Sequence, residues 1–94
     1  MDLRIFQKEL HAWQLKTFPG STHLSKLAHI KKEIKELEEC PTDASEIADI
    51  MLLCIGMGAI QGYDMADEII KKFEINKKRT WGAPDEDGVV RHIK

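Results

Sequence analysis

Little in this chain suits a disulfide-stapled, membrane-embedded or nucleic-acid-binding protein. Its two cysteines, Cys40 and Cys54, lack CxxC spacing and have no histidines in zinc-finger order, so neither a disulfide framework nor a structural zinc site is expected. They read as reduced thiols in a cytoplasm. A net charge of −2 provides no basic field for a nucleic-acid polymer or an anionic membrane, and no acidic excess of the kind that produces disorder. The longest apolar run, Ile47 to Ile60, is broken by Asp49 and is shorter than the about 20 residues that span a bilayer. A buried helix accounts for it better than a membrane. The opening MDLRIFQKEL has charges where a signal peptide needs an apolar stretch, so secretion is not expected. There is no internal repeat, no low-complexity tract and no strand-like alternation of useful length.

What is present is helical periodicity. Across 94 residues, 43% of them apolar, one domain with a small core is the expected organisation, and oligomerisation is a natural source of further burial at this size. Leu3, Phe6, Leu10 and Trp13 recur at three- and four-residue steps and predict a helix over 2–17, ended by Phe18-Pro19-Gly20. Leu24, Leu27, Ile30, Ile34 and Leu37 mark one face of a second helix over 22–39, stopped by Cys40-Pro41. A third, over 43–61, is apolar nearly all round after its first turn, as a central helix is, and Gly62 closes it. Asp64 caps a fourth over 65–79, with Met65, Ile69, Ile70 and Phe73 as its buried side. Residues 80–94 carry Gly, Pro and Asp in place of periodicity and read as an irregular tail. The fold class is all-α, a small four-helix bundle.

The acids are unevenly placed. Residues 33–49 hold seven of them and run directly into IMLLCIGMGAI, which has none. Glu33 and Glu36 lie one turn apart beside the apolar stripe of the second helix, and Glu46 and Asp49 form a matching pair on the third. A short connection makes these helices antiparallel neighbours, so the four carboxylates converge. Something positive must sit among them, because crowded and partly buried like charges are costly. Mg²⁺ or Mn²⁺ would serve, as hard cations that prefer oxygen ligands. Lys31, Lys32 and Lys35, on the same helix as the first pair, would serve equally, and the residues alone leave a metal site and a salt-bridged solvated face open. Glu46 also fits a capping box with Asp43. Asp49 is harder to dismiss, since aspartate is a poor helix former and its neighbours are Ile47, Ala48, Ile50 and Met51. On the fourth helix Lys72, Asn76 and Arg79 fall on one stripe. They are either a basic helix C-terminus or a grip for polyphosphate oxygens.

The ordered set Glu33-x-x-Glu36, Glu46-x-x-Asp49 and Lys72-x-x-x-Asn76 resembles the MazG-like, all-α nucleoside triphosphate pyrophosphohydrolases, whose pattern is EExxE, a spacer, ExxD and a later KxxxN. The closing KKFEINKKRTWGAPDEDGVVRHIK is similar to the dATP/dGTP pyrophosphohydrolase (MazZ-like) subgroup, which includes phage enzymes. The likeness runs from Phe6 to His92. The resemblance implies metal-dependent cleavage between the α- and β-phosphates of a purine deoxynucleoside triphosphate, giving monophosphate and pyrophosphate. It implies that Glu33, Glu36, Glu46 and Asp49 hold Mg²⁺ or Mn²⁺, two or more ions per site. Glu36 or Glu33 would orient or deprotonate the attacking water, and Lys72, Asn76 and Arg79 would bind the phosphates. Trp13, His29 and Trp81 are candidates to flank the base. Lys32 stands where the general pattern has its first glutamate, which removes one carboxylate ligand and leaves the number of metals open. The family forms oligomers, and a tetramer built as a dimer of dimers is the expected assembly. Gly56, Gly58 and Ala59 would let a helix of another chain approach closely. The competing readings are a non-catalytic helical interaction module and a regulator that binds nucleotides without hydrolysing them.

Overall fold

The computed structural model describes residues 1–93, so the last residue of the 80–94 tail lies outside the described part. Four helices follow one another: α1 (Leu3–Thr17), α2 (His23–Glu39), α3 (Ala44–Ile60) and α4 (Met65–Lys78). Each begins where a short polar side chain can satisfy the free N–H groups of the first turn. Asp2 accepts from Arg4 and Ile5, and Asp64 accepts from Ala66 and Asp67. Asp43 accepts from Ser45. Thr22 and Ser25 exchange bonds in a reciprocal capping box.

α3 is the central element and packs most extensively on α2, then on α1. Its turns come close to their neighbours because two of its residues have no side chain. A Cβ at Gly56 would sit 2.5 Å from Gln14 Oε1, and one at Gly58 would collide with the Met65 sulfur. Both glycines are therefore filled from within the chain, by α1 and α4. This corrects the expectation that they admit a helix of another copy.

Gly62, at φ +83°, closes α3 and turns the chain sharply, so that α4 leaves at 108° to α3. The N-terminal half of α4 is fastened to α1. Arg4 Nε donates to Asp64 Oδ2 at 2.8 Å and Arg4 Nη2 to Asp67 Oδ1 at 2.6 Å. Gln7 donates to the Tyr63 carbonyl at 2.7 Å and accepts from Met65 N–H at 2.9 Å. Among the described residues α4 makes no close approach to α2. The expected buried side of α4 is correspondingly open: Ile69, Ile70 and Phe73 are all exposed, and only Met65 is partly covered. The bend points this face away from the bundle.

The tail is more ordered than its composition suggests. Thr80–Trp81 and His92–Ile93 pair antiparallel, with Trp81 opposite His92. Asp85 folds the intervening loop by accepting from the N–H groups of Asp87 and Val89.

The core is small: Ile30, Ile55, Ala59 and Ala66 with the side chains of Gln14 and Lys26. The accessible surface, 7343 Å², is well above the about 5500 Å² typical of a folded monomer of 10.8 kDa. The radius of gyration of 15.5 Å likewise exceeds the about 12 Å expected for a compact chain of this length. Among the described residues no single helix is long and apolar enough to cross a membrane.

Candidate active site

The inward face of α2 keeps Ile30 and Leu37 of the apolar stripe its periodicity marks but not the rest. Leu24, Leu27 and Ile34 are exposed, whereas Lys26, Ile30, Glu33 and Leu37, at steps of four, three and four, are the residues turned toward α1 and α3. Glu33 is thereby driven against α3, where it meets Glu46 and Asp49. One carboxylate oxygen from each of the three lies within 4.8 Å of the others. Glu36, one turn along from Glu33, is exposed at the margin of this group.

Electrostatically the cluster is uncompensated. Oε2 of Glu33 and Oε2 of Glu46 are buried without a hydrogen-bond partner, a costly state for carboxylate oxygens. Lys31, Lys32 and Lys35 do not relieve it; they line a separate shallow surface with Leu24, Leu27 and Ala28. Among the described residues the cluster's one positive-capable neighbour is His29, whose Nε2 lies 3.1 Å from Glu33 Oε1. The carboxyls of the three glutamates are consequently pushed apart in acidity. Hydrogen bonding to Glu33, and its charge, hold the carboxyl of Glu36 above the ordinary glutamate range. Hydrogen bonding to Glu33, reinforced by burial, does the same for Glu46. Glu33, receiving those bonds from Glu36 and Glu46, is held below it. A set of oxygen donors with two orphaned oxygens and, among the described residues, no lysine or arginine partner fits a hard divalent cation. Among the described residues no lysine pairs with these acids, so the lysine-bridged face that the sequence left open is not formed.

A cavity of about 390 Å³ opens beside these acids. Leu10, Trp13 and Gln14 of α1 and Phe18 and Ser21 of the connector line one side of it. Ser25, Lys26, His29 and Glu33 of α2 and Asp49, Leu52 and Leu53 of α3 complete it. Trp13 stands edge-on to Phe18, ring centroids 5.3 Å apart. This is the volume, and the mixture of apolar wall and few polar groups, of a small-molecule site. It shares Glu33 and Asp49 with the carboxylate cluster.

The structure thus brings together Glu33, Glu46 and Asp49, places Glu36 at their edge, and sets Trp13 and His29 around the adjoining cavity. It does not bring Lys72, Asn76, Arg79 or Trp81 there within one chain, because the bend after α3 carries α4 away from α2. Asn76, Arg79 and Trp81 form their own group. Trp81 Nε1 donates to the Asn76 carbonyl at 3.0 Å, Arg79 Nη1 reaches Asn76 Oδ1 at 3.5 Å, and Lys72 is exposed on the same helix. Lys26, Phe18 and Ser21 are cavity residues that the motifs do not mark. The signal for Lys26 was its register, four before Ile30 and seven before Glu33.

A family profile described as dATP/dGTP pyrophosphohydrolase matches residues 6–94. The chain belongs to the dATP/dGTP pyrophosphohydrolase family. Two relatives in this family are both described as dATP/dGTP diphosphohydrolase. One, from Salmonella phage PMBT28, is 34% identical over 88 residues, which are 93% of this chain but 30% of the relative. The chain therefore spans under a third of that protein's length. The other, from cyanophage S-2L, is 32% identical over 89 residues, covering 93% of this chain and 84% of the relative. Among solved structures, the cyanophage S-2L MazG-like pyrophosphohydrolase bound to dGDP and three catalytic Mn²⁺ ions per active site superposes with a TM-score of 0.86. That match has 30% sequence identity and covers 100% of this chain and 99% of the other. The all-α, MazG-like architecture of this pyrophosphohydrolase family member follows from that match.

Proposed function

We propose that the protein hydrolyses purine deoxynucleoside triphosphates, dATP and dGTP, to the monophosphate and pyrophosphate. The observation that carries this reading is the union of an uncompensated carboxylate cluster with an aromatic-walled cavity through two shared residues, Glu33 and Asp49. The cluster suits the charged end of a nucleotide with its cations, and the cavity suits the base.

Glu33, Glu46 and Asp49 would hold the ions, with Glu36 as a fourth ligand or as the group that orients the attacking water. The Mn²⁺ ions of the S-2L structure support divalent cations here, and the oxygen-only donor set suits Mg²⁺ equally, two or more per site. Such ions neutralise the triphosphate and make water a better nucleophile. His29 positions Glu33 through their hydrogen bond. Water attacks the α-phosphorus in line, and the bond to the α–β bridging oxygen breaks.

Lys72, Asn76 and Arg79 are phosphate-binding residues in this scheme, contributed by a second copy of the chain. The large surface, the open radius of gyration and the uncovered Ile69, Ile70 and Phe73 support a homo-oligomer, for which a dimer of dimers is the proposed form. Trp81 would reach a base by the same route.

The test is chromatographic product analysis of dATP, dGTP, dCTP and dUTP, each incubated separately with purified protein and Mg²⁺, then Mn²⁺, beside an Asp49→Ala control. Monophosphate and pyrophosphate from the purine substrates, absent with the variant, are expected. No turnover of any substrate with either metal would overturn the reading in favour of a helical interaction module or a nucleotide-binding regulator.

A further inference from the structure

Lys26 is an anomaly in the cavity. It is 7% exposed, and among the described residues no carboxylate pairs with it. Lysine is seldom so enclosed without a counter-charge. Its ammonium rests over the face of Phe18, 5.1 Å from the ring centroid, which is its one identified partner. Burial alone pushes its pKa down.

Three of the polar side chains around it are committed. The Ser25 hydroxyl donates to the Thr22 carbonyl and accepts from Thr22 N–H. The Gln14 amide donates to the Gly56 carbonyl and meets His11 Nδ1. His29 is bound to Glu33. The Lys26 ammonium is left as a donor with unmet capacity, facing a cavity already walled by Trp13 and Phe18.

Its position along α2 says which part of a nucleotide it meets. Seven residues separate it from Glu33, about 10 Å along the helix axis. That is comparable to the span from a nucleotide's α-phosphate to the far edge of its base, which puts Lys26 on the base side of the cavity when Glu33 is at the metal end. A purine presents N7 on that edge, and guanine adds O6 beside it, two acceptors side by side. Adenine offers N7 and an amino donor instead. An ammonium can only donate.

We infer that Lys26 is a specificity-determining residue that donates from Nζ to the N7/O6 edge of the purine and favours guanine over adenine. The inference rests on the pyrophosphohydrolase reading above.

The experiment compares kcat/KM for dGTP and dATP in the full chain and in its Lys26→Met and Lys26→Gln variants, with 7-deaza-dGTP as a third substrate. Lys26→Met removes only the charge and its donors. It is expected to lower kcat/KM for dGTP about tenfold or more, chiefly through KM, to lower that for dATP less, and to leave the melting temperature unchanged or raised. Lys26→Gln supplies one donor and one acceptor, the pair that matches adenine, and is expected to move the preference toward dATP. The unaltered protein should discriminate against 7-deaza-dGTP, and Lys26→Met should not. If the unaltered protein turns over its purine substrates but neither variant changes the dGTP to dATP ratio, this inference is overturned and the hydrolase reading stands. If the unaltered protein turns over nothing, both fall.

Discussion

Alanine at position 56 tests how the bundle holds the wall of its cavity. The new Cβ would meet Gln14 Oε1 at 2.5 Å and Gln14 Cδ at 3.4 Å. Gln14 cannot swing aside freely, since it is 2% exposed and its Nε2 donates to the Gly56 carbonyl at 3.0 Å. Two effects oppose. Replacing a mid-helix glycine by alanine stabilises by about 1 kcal/mol. Forcing a methyl into a filled contact costs about 1–3 kcal/mol, and stranding the buried amide costs about 1–3 kcal/mol more. The packing side wins, for a net loss of about 1–5 kcal/mol. In a domain of this size each kcal/mol lowers Tm by about 4–8 °C. Thermal unfolding at fixed protein concentration, so that any assembly contributes equally, reads this directly. Gln14→Ala removes the obstacle, so the double variant should be more stable than the sum of the two single losses by about 1 kcal/mol or more. Because Gln14 lines the cavity, Gly56→Ala should also raise KM for the nucleotide more than it lowers kcat. A Gly56→Ala protein that melts at or above the parent, or losses that simply add, would refute the packing argument.

Further outcomes follow from the charges and from α4. Glu36 and Glu46, whose carboxyls are raised by Glu33, bind more protons in the native protein than in the unfolded chain. Their contribution to metal-free stability is present at low pH and lost as pH rises through their raised pKa values, while that of Glu33, held low, runs the other way. Divalent cations compete with protons for these carboxylates, so the rise in Tm on adding Mg²⁺ or Mn²⁺ should be large at neutral pH and shrink as pH falls through the titration of Glu36 and Glu46. A metal-induced rise that is flat with pH would count against the carboxylate site. Phe73→Glu, on the open face of α4, should leave the helical circular dichroism intact while reducing the sedimenting mass and abolishing turnover. A parent protein that already sediments as a monomer at assay concentration would remove the basis for that expectation.

The helical class was legible because punctuation and period agree: Asp43 and Asp64 begin helices, Pro41 and Gly62 bracket their ends, and the apolar steps between are three and four. The converging acids were legible for the same reason, since two i, i+3 pairs on antiparallel neighbours have few other places to go. What periodicity could not supply was direction. It counts apolar residues, so it aimed α2 by Leu24, Leu27 and Ile34 as much as by Ile30 and Leu37, whereas a cavity for a polar ligand turns Lys26 and Glu33 inward beside the last two. It showed that Ile69, Ile70 and Phe73 form a face, but not whether that face is covered by the same chain. Gly56 and Gly58 announced close approach without naming the neighbour, which proved to be Gln14 and Met65. The strands at Thr80–Trp81 and His92–Ile93 are two residues each, too short to leave an alternating pattern.

The connector between α1 and α2 bears on how such a chain can change. Phe18 and Ser21 belong to a short turn, yet they wall the cavity, whereas the acids sit on α2 and α3. Part of the recognition wall is therefore inherited on a stretch that carries none of the acids, while Lys26 and His29 share α2 with Glu33. An insertion, deletion or swap near Pro19 would recut the pocket for a different base and leave the phosphate end untouched. A lineage confronting a new nucleotide pool can explore that turn without first losing its catalyst.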